Sequence, residues 1–176
     1  MTSAFDDFLT RIAPDAARRE RERCLLTHEL AELRGIGFGT WRVPEAFGGS
    51  PLPLEELFAR LIRLSAADAS LGHVWRGHIA FVESLRQQPA GLAAPWFERI
   101  LAGDFVGNAQ SERHDTAHLE TRIDRSEGRA LLSGTKYYTT GSIYADWIHL
   151  AALDGDERVA GTVSTRHDGV RSTDDW

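Results

Sequence analysis

The sequence predicts an α+β protein, with an all-helical N-terminal domain followed by an antiparallel β-domain. Two observations carry this reading. Apolar residues recur at helical spacing as far as Leu101, with charged residues between them. From about Gly103 the pattern changes to short alternating runs separated by Gly and Ser. Helices first and strands afterwards is the order of a segregated α+β fold. The switch divides the chain into residues 1–102, helical, and 103–176, β. No repeat or low-complexity segment interrupts either part.

Taken in order, Ala4 to Ile12 can form a short helix. Pro14 suits the first turn of a second, long and charged helix reaching Leu33, with Leu26, Leu30 and Leu33 on its apolar side. Its charge run, Arg18 to Arg23, reads as a solvated face. Gly35 and Gly37 end it. Phe38 to Gly49 is a loop. Pro53 opens another helix, with Leu54, Leu57, Phe58, Leu61 and Leu64 on one face. Asp68 to Leu85 reads as a more buried helix, and Pro89 to Leu101 as a shorter one. The strands expected are Phe105–Glu112, His118–Asp124, Ala130–Ser133, Lys136–Tyr138, Trp147–Leu153 and Val159–Thr165. A further strand is expected to begin at Gly169-Val170-Arg171. The second and third pair across a turn at Ser126-Glu127-Gly128.

Composition narrows the function. Hydrophobic residues make up 42% of the 176 and charged residues 26%, which is the balance of a globular protein. A formal net charge of −6 disfavours nucleic acid as a partner, because that binding needs a basic face. The single cysteine, Cys24, cannot form an internal disulfide and reads as a small helical core residue. The start carries Asp6 and Asp7 rather than a secretory signal, and no apolar run is long enough to span a bilayer, so the cytoplasm is the expected location and no membrane partner is expected. His73 and His78 are five apart and do not share a helix face as a metal pair would, so no metal is expected.

Two segments carry the chemistry. Residues 134–147 read Gly-Thr-Lys-Tyr-Tyr-Thr-Thr-Gly-Ser-Ile-Tyr-Ala-Asp-Trp. A strand stopping at Thr139, Thr140 and Gly141 presents hydroxyl and backbone donors on an ordered edge, which suits a planar hydrogen-bonding ligand such as a flavin. The local pattern alone also allows a decorated hairpin. Phe105 to Glu112 likewise runs from apolar residues into Asn108, Gln110, Ser111 and Glu112.

In this order the segments resemble the acyl-CoA dehydrogenase superfamily. Ser111-Glu112 stands where that family has Thr-Glu. Gly134-Thr135-Lys136, then Thr and Gly141, then Ala145-Asp146-Trp147 match its second motif, and Val43-Pro44-Glu45-Ala46-Phe47-Gly48-Gly49 matches its Val-Pro-Glu-x-x-Gly-Gly loop. We read that loop as a rigid connector between helices. Gly107-Asn108-Ala109, and Ser70-Leu71-Gly72 followed by His78, resemble most the flavin-dependent monooxygenases similar to dibenzothiophene monooxygenase. Arg76-Gly77 departs from that group just before the histidine. The family's Pro-x-x-Gly-Ser-Asp after Thr-Glu is missing, since the chain reads Arg113-His114-Asp115-Thr116-Ala117-His118.

The resemblance implies a flavin-dependent oxidoreductase with FMN or FAD. One form is a two-component monooxygenase that takes reduced flavin by diffusion from a separate reductase and uses O2 on a small apolar substrate. An acyl-CoA dehydrogenase oxidising an acyl thioester with FAD is the alternative, and a noncatalytic fragment is a third. Ring contacts fall to Gln110, Ser111, Thr139 and Thr140. Contacts to peroxide oxygen or substrate fall to Asn108 and His78, and Trp147 supports its strand. The family continues through a C-terminal helical domain that is absent here, so the sequence is expected to be an inactive fragment that self-associates. The family is expected to form homo-oligomers, tetramers at full length.

Overall fold

The computed structural model describes residues 3–113, 119–126 and 128–174. The chain divides into two compact units, Met1–Asp104 and Phe105–Trp176.

The first unit is helical. Helix α1 (Ala4–Ile12) opens with a capping box, in which the Ser3 hydroxyl accepts from the Asp6 amide at 3.2 Å and the Asp6 carboxylate accepts from the Ser3 amide. It buries Phe5, Phe8, Leu9 and Ile12. The single long helix expected from Pro14 to Leu33 is instead broken. A 3-10 turn at Ala13–Asp15 leads into α2 (Ala16–Arg21), and α3 (Thr27–Gly35) starts afresh after Arg23, which lies in the left-handed region at φ 52°. The reason is the charge run itself. Between Arg18 and Arg23 no apolar residue holds a helix to the core, and Arg19 points inward.

Arg19 is 8% exposed, so the run is not wholly a solvated face. Its Nη2 donates to the Asp68 carboxylate at 2.8 Å and to the Ile12 carbonyl at 2.7 Å. Asp68 uses its other oxygen to cap α5 (Ala69–Leu85), accepting from the amides of Ser70 and Leu71 at 3.1 and 3.2 Å. One carboxylate thus starts a helix and neutralises a buried guanidinium.

Helix α4 (Leu54–Ala67) buries Leu57 and Leu64, one per two turns, while Leu54, Phe58 and Ile62 are exposed, so its apolar face is narrower than the five expected residues. Helix α6 (Ala90–Leu101) completes the unit. An aromatic chain runs through the core: Phe38 packs at a tilt against Trp41 and Trp75 with centroids 4.6 and 5.1 Å apart.

The loop between α3 and α4 is rigid for visible reasons. Arg42 pairs with Glu83 and donates to the Leu52 carbonyl, while the Leu52 amide donates to Trp41 at 2.8 Å. Gly48 takes φ 88°, and a Cβ on Gly49 would sit 2.0 Å from the Val43 carbonyl oxygen. The clash is with backbone, so no rotamer relieves it. Gly49→Ala should lower stability by at least the ~1–3 kcal/mol of an overpacked site. Thermal unfolding checks this, and a stability equal to the parent's would show that the loop is not fixed by this contact.

The second unit is a five-stranded sheet. Strands β1 (Val106–Ala109), β2 (Arg122–Ser126), β3 (Arg129–Ser133), β4 (Trp147–Asp154) and β5 (Glu157–Ser164) place β4 at the centre. β5 pairs with the whole of β4, from Trp147↔Ser164 to Asp154↔Glu157. On β4's other edge two strands share the length: β1 pairs with Trp147–Leu150 and β2 with Leu153–Asp154.

The α+β class is as expected, but the sheet is mixed rather than purely antiparallel. β2–β3 and β4–β5 are antiparallel, turning at Gly128 (φ 73°) and Gly155 (φ 63°). β1 and β2 both run parallel to β4. The connections 110–121 and 134–146 are long, so nothing forces an immediate return. The strand expected from Gly169 does not form: the Val170 amide donates to His167 in a turn, and Val170 packs on the core. That core is one face of the sheet, built by Ala109, Ile148, Leu150 and Ala152 with Ile123, Leu132, Val159 and Val163.

Candidate functional site

The two segments singled out by sequence meet in the second unit. β1 ends at Ala109 and the chain leaves the sheet at Gln110. Beside it lies the turn at residues 139–142. The Asn108 amide donates to the Thr140 carbonyl at 3.2 Å, and the Tyr137 amide donates to the Ser111 carbonyl at 3.1 Å. Asn108, Gln110, Ser111, Thr139 and Thr140 are therefore neighbours, all partly exposed.

Lys136–Tyr138 is not the strand the aromatics suggested. No ladder partner reaches it among the described residues, and a buried charge bends it inward instead. Lys136 Nζ donates to Glu112 at 2.8 Å, with both side chains under a tenth exposed. The same carboxylate accepts from the Thr121 amide (3.0 Å), the Thr121 hydroxyl (2.7 Å) and the Glu120 amide (2.6 Å). Burial alone would raise the Glu112 carboxyl. The hydrogen bonds from Lys136, Thr121 and Glu120 outweigh it and hold the group at about 2. Gly134 fits the same junction, since a Cβ there would lie 2.4 Å from Thr121 Oγ1 and 2.7 Å from its Cα.

The turn at 139–142 has its own logic. Ser142 is 4% exposed, and its hydroxyl donates to the Thr139 carbonyl at 2.6 Å. That hydroxyl has one hydrogen, so in its short contact with Thr139 Oγ1 the threonine is the donor. Thr139 thereby keeps only acceptor lone pairs for a ligand. The Thr140 amide turns back to the Tyr138 carbonyl at 3.0 Å. Gly107 lets β1 approach this turn: a Cβ there would meet Ser142 Cα at 2.9 Å and Ala145 Cβ at 3.1 Å. Asp146 ties the strand starts together, accepting from the Phe105 amide at 2.9 Å and from Arg166 at 3.1 Å. Trp147 begins β4, as expected of a strand residue.

Sequence reasoning missed two features here. Tyr138 holds φ 56°, uncommon for a bulky residue, and its side chain is 80% exposed. Strained backbone of this kind clusters at ligand clamps and switch regions, which makes the turn a candidate contact. The second is His149, which lies on β4 directly opposite Asn108.

His78 stands elsewhere. It is 1% exposed in the core of the helical unit, edge-on to Trp75, with Nε2 3.0 Å from the Gly39 carbonyl. Burial pushes its pKa down to about 4 against the favourable Gly39 contact, and the Arg34 charge adds to the fall. It is a neutral donor to a backbone carbonyl. The segment from His114 to His118, where the expected Gly-Ser-Asp is missing, lies outside the described residues.

Among the described residues no group of His, Cys, Asp and Glu could hold a metal ion, and no helix is long and apolar enough to cross a membrane.

No protein-family model matches the chain. It is 31% identical over 163 residues to benzylmalonyl-CoA dehydrogenase of Aromatoleum aromaticum, covering 84% of this chain and 41% of that one. It is 25% identical over 174 residues to dibenzothiophene monooxygenase of Rhodococcus qingshengii, covering 92% and 41%. The structure superposes on FMN-bound TdsC from Paenibacillus sp. A11-2 with a TM-score of 0.82 at 22% identity, covering 94% of this chain and 45% of that one. The fold is that of acyl-CoA dehydrogenase-like flavin enzymes. These relatives and structural neighbours are acyl-CoA dehydrogenase-like flavin enzymes, a dehydrogenase and monooxygenases both. It spans about two fifths of the length of the curated relatives it matches.

Glu112 gives a direct test of the junction. Its carboxyl is lowered from 4.5 in the unfolded chain to about 2, so its contribution is full above about pH 4.5 and is lost as pH falls toward 2. Lys136→Met, which strands the carboxylate, should cost about 3–5 kcal/mol at neutral pH. Glu112→Gln should flatten the pH dependence of stability between 4.5 and 2. Denaturant melts across that range decide the matter, and parallel curves for parent and Glu112→Gln would dissociate the pair from stability.

Proposed function

We propose that the chain carries the flavin edge of an oxidoreductase, a two-component monooxygenase using reduced FMN or FAD and O2 on a small apolar substrate. The observation that carries it is the meeting of β1 with the 139–142 turn, where the Asn108 amide bonds the Thr140 carbonyl, Gln110 follows on the same strand end, and the exposed Tyr138 stands two residues before Thr140. A planar ring with polar edges suits this surface: an aromatic face to stack on, hydroxyl and amide groups at the rim, and a rigid backbone beneath. FMN is bound in the TdsC structure, which supports FMN here.

When bound, reduced flavin supplies the electrons that activate oxygen. The residues of this chain do the rest. Thr140 and Ser111 hydroxyls donate at the ring's edge. Gln110 donates its Nε2 to the His149 carbonyl at 3.3 Å, which leaves its Oε1 as an acceptor. Thr139 fixes the turn through Ser142. The Asn108 amide orients oxygen or substrate at the ring, whereas His78, enclosed in the helical unit against the Gly39 carbonyl, makes no substrate contact in this reading. A separate reductase supplies the reduced flavin, and the assembled enzyme is a homo-oligomer.

The similarity to benzylmalonyl-CoA dehydrogenase supports a second reading, oxidation of an acyl thioester. Bleaching of bound oxidised flavin by an acyl-CoA would favour it. Oxygen uptake with reduced flavin and an apolar acceptor favours the monooxygenase.

Two outcomes follow at the level of residues. Thr140→Val should weaken flavin binding about two- to twelvefold, the worth of one hydrogen bond. Thr139→Val should instead lower thermal stability first; flavin titrations that rank the two variants the other way would reverse these roles. Asn108→Ala should leave flavin affinity within about twofold while hydrogen peroxide release rises and product per reduced flavin falls. Unchanged coupling would take Asn108 out of the reaction.

A further inference from the structure

The stretch from Gly134 to Gly141 forms no strand among the described residues, yet it is held in register with the exit from β1. Lys136 Nζ donates to Glu112 at 2.8 Å, the Tyr137 amide to the Ser111 carbonyl at 3.1 Å, and the Asn108 amide to the Thr140 carbonyl at 3.2 Å. Arg113 lies over the Tyr137 ring, 5.5 Å from its centroid. The three bonds run in antiparallel order, 112 with 136, 111 with 137 and 108 with 140. The middle of this pairing is open. Tyr138 turns left-handed at φ 56°, and the Thr140 amide bonds the Tyr138 carbonyl instead of crossing to β1. The residues that face the ligand, Gln110, Ser111, Thr139 and Thr140, therefore lie in a short stretch with two closures. The Asn108–Thr140 bond closes one end and the Glu112–Lys136 pair the other.

The charged closure is also tied to the sheet. Glu112 holds the Glu120 and Thr121 amides at 2.6 and 3.0 Å, and the Thr121 carbonyl accepts from Leu153 on β4 at 2.8 Å. The position of Lys136 is thus referred to the central strand. A buried ion pair is weak ground for stability, because well-packed apolar side chains of similar volume often serve as well; its best-attested use is to fix register. Apolar contacts can slide by a residue at small cost, whereas a buried ammonium must end on its carboxylate.

We infer that Glu112 and Lys136 are positioning residues for the flavin: without touching it, they set the register in which Ser111 and Thr140 meet the edge of the ring. This rests on the flavin reading. It separates the pair's role in the site from its role in the fold, because a neutral pair of like size can replace the second and not the first.

The test is FMN titration by fluorescence quenching of the parent chain, the double variant Glu112→Gln/Lys136→Met, and Lys136→Arg, each checked by thermal melt. The double variant removes both charges, strands neither and keeps an acceptor for the Thr121 amide, so its melt should stay close to the parent's. FMN should nonetheless bind it about five- to 150-fold more weakly, the usual range for coupling between separate groups. Lys136→Arg keeps a cation on the carboxylate and should bind FMN nearly as the parent does. Parent-like affinity in the folded double variant overturns the proposal, since the pair would then serve the fold alone. A folded Lys136→Arg that binds as weakly as the double variant overturns it too. If the double variant does not fold, hydrogen exchange in the parent decides. Coupling is reciprocal, so bound FMN should slow the Glu120 and Thr121 amides more than the amides where β5 pairs with β4. Equal slowing overturns the proposal. A parent chain that does not bind FMN removes the flavin reading and this inference together, whereas a binding parent with an equally binding double variant removes this inference alone.

Discussion

One buried carboxylate governs the second unit. Glu112 accepts from Lys136, from two consecutive backbone amides and from a hydroxyl. It thereby joins three stretches of chain: the exit from β1, the entry to β2 and the approach to the 139–142 turn. A buried charge is costly unless its partners are complete, and here they are. The sheet alone cannot position these stretches, because β1 and β2 occupy separate halves of one edge and leave Ala151 and Ala152 between them. The ion pair does what a continuous strand would otherwise do.

This explains what was legible in the sequence. The helices with strong apolar periodicity appear where expected, as α1 shows from Ala4 to Ile12. The long helix failed at Arg18–Arg23, because a guanidinium sought a carboxylate from a residue far along the chain, and spacing carries no such information. Lys136–Tyr138 failed for the same cause. Its aromatics favour a strand, but the lysine is drawn to Glu112 and the tyrosine is left strained and outward. The paired motifs were found because their residue types are unusual together. His149 was passed over because a lone histidine inside an apolar strand carries no signal until the register shows what stands on either side.

The two histidines with lowered pKa values make a useful contrast. His78 is enclosed, with one nitrogen against the Gly39 carbonyl and a tryptophan edge-on to its ring. Its loss of charge is a condition of packing a polar ring in a core. His149 is only partly buried and its ring is turned toward a neighbouring strand. Shifts in the same direction in similar groups thus carry different meaning, and exposure separates them.

The divided edge of β4 also bears on how such a protein can diverge. The chain leaves the sheet at Gln110 and rejoins it at Thr121, where the Leu153 amide donates at 2.8 Å. Glu112 closes the neck of that excursion by holding the Glu120 and Thr121 amides. Whatever lies between Arg113 and Leu119 is bracketed by a fixed clasp, and lengthening a closed loop adds little entropy cost. Residues can be inserted, deleted or exchanged there without shifting the pairing of any strand. The length and sequence of chain between the two ends of the clasp are therefore evolutionary variables uncoupled from the pairing of the sheet.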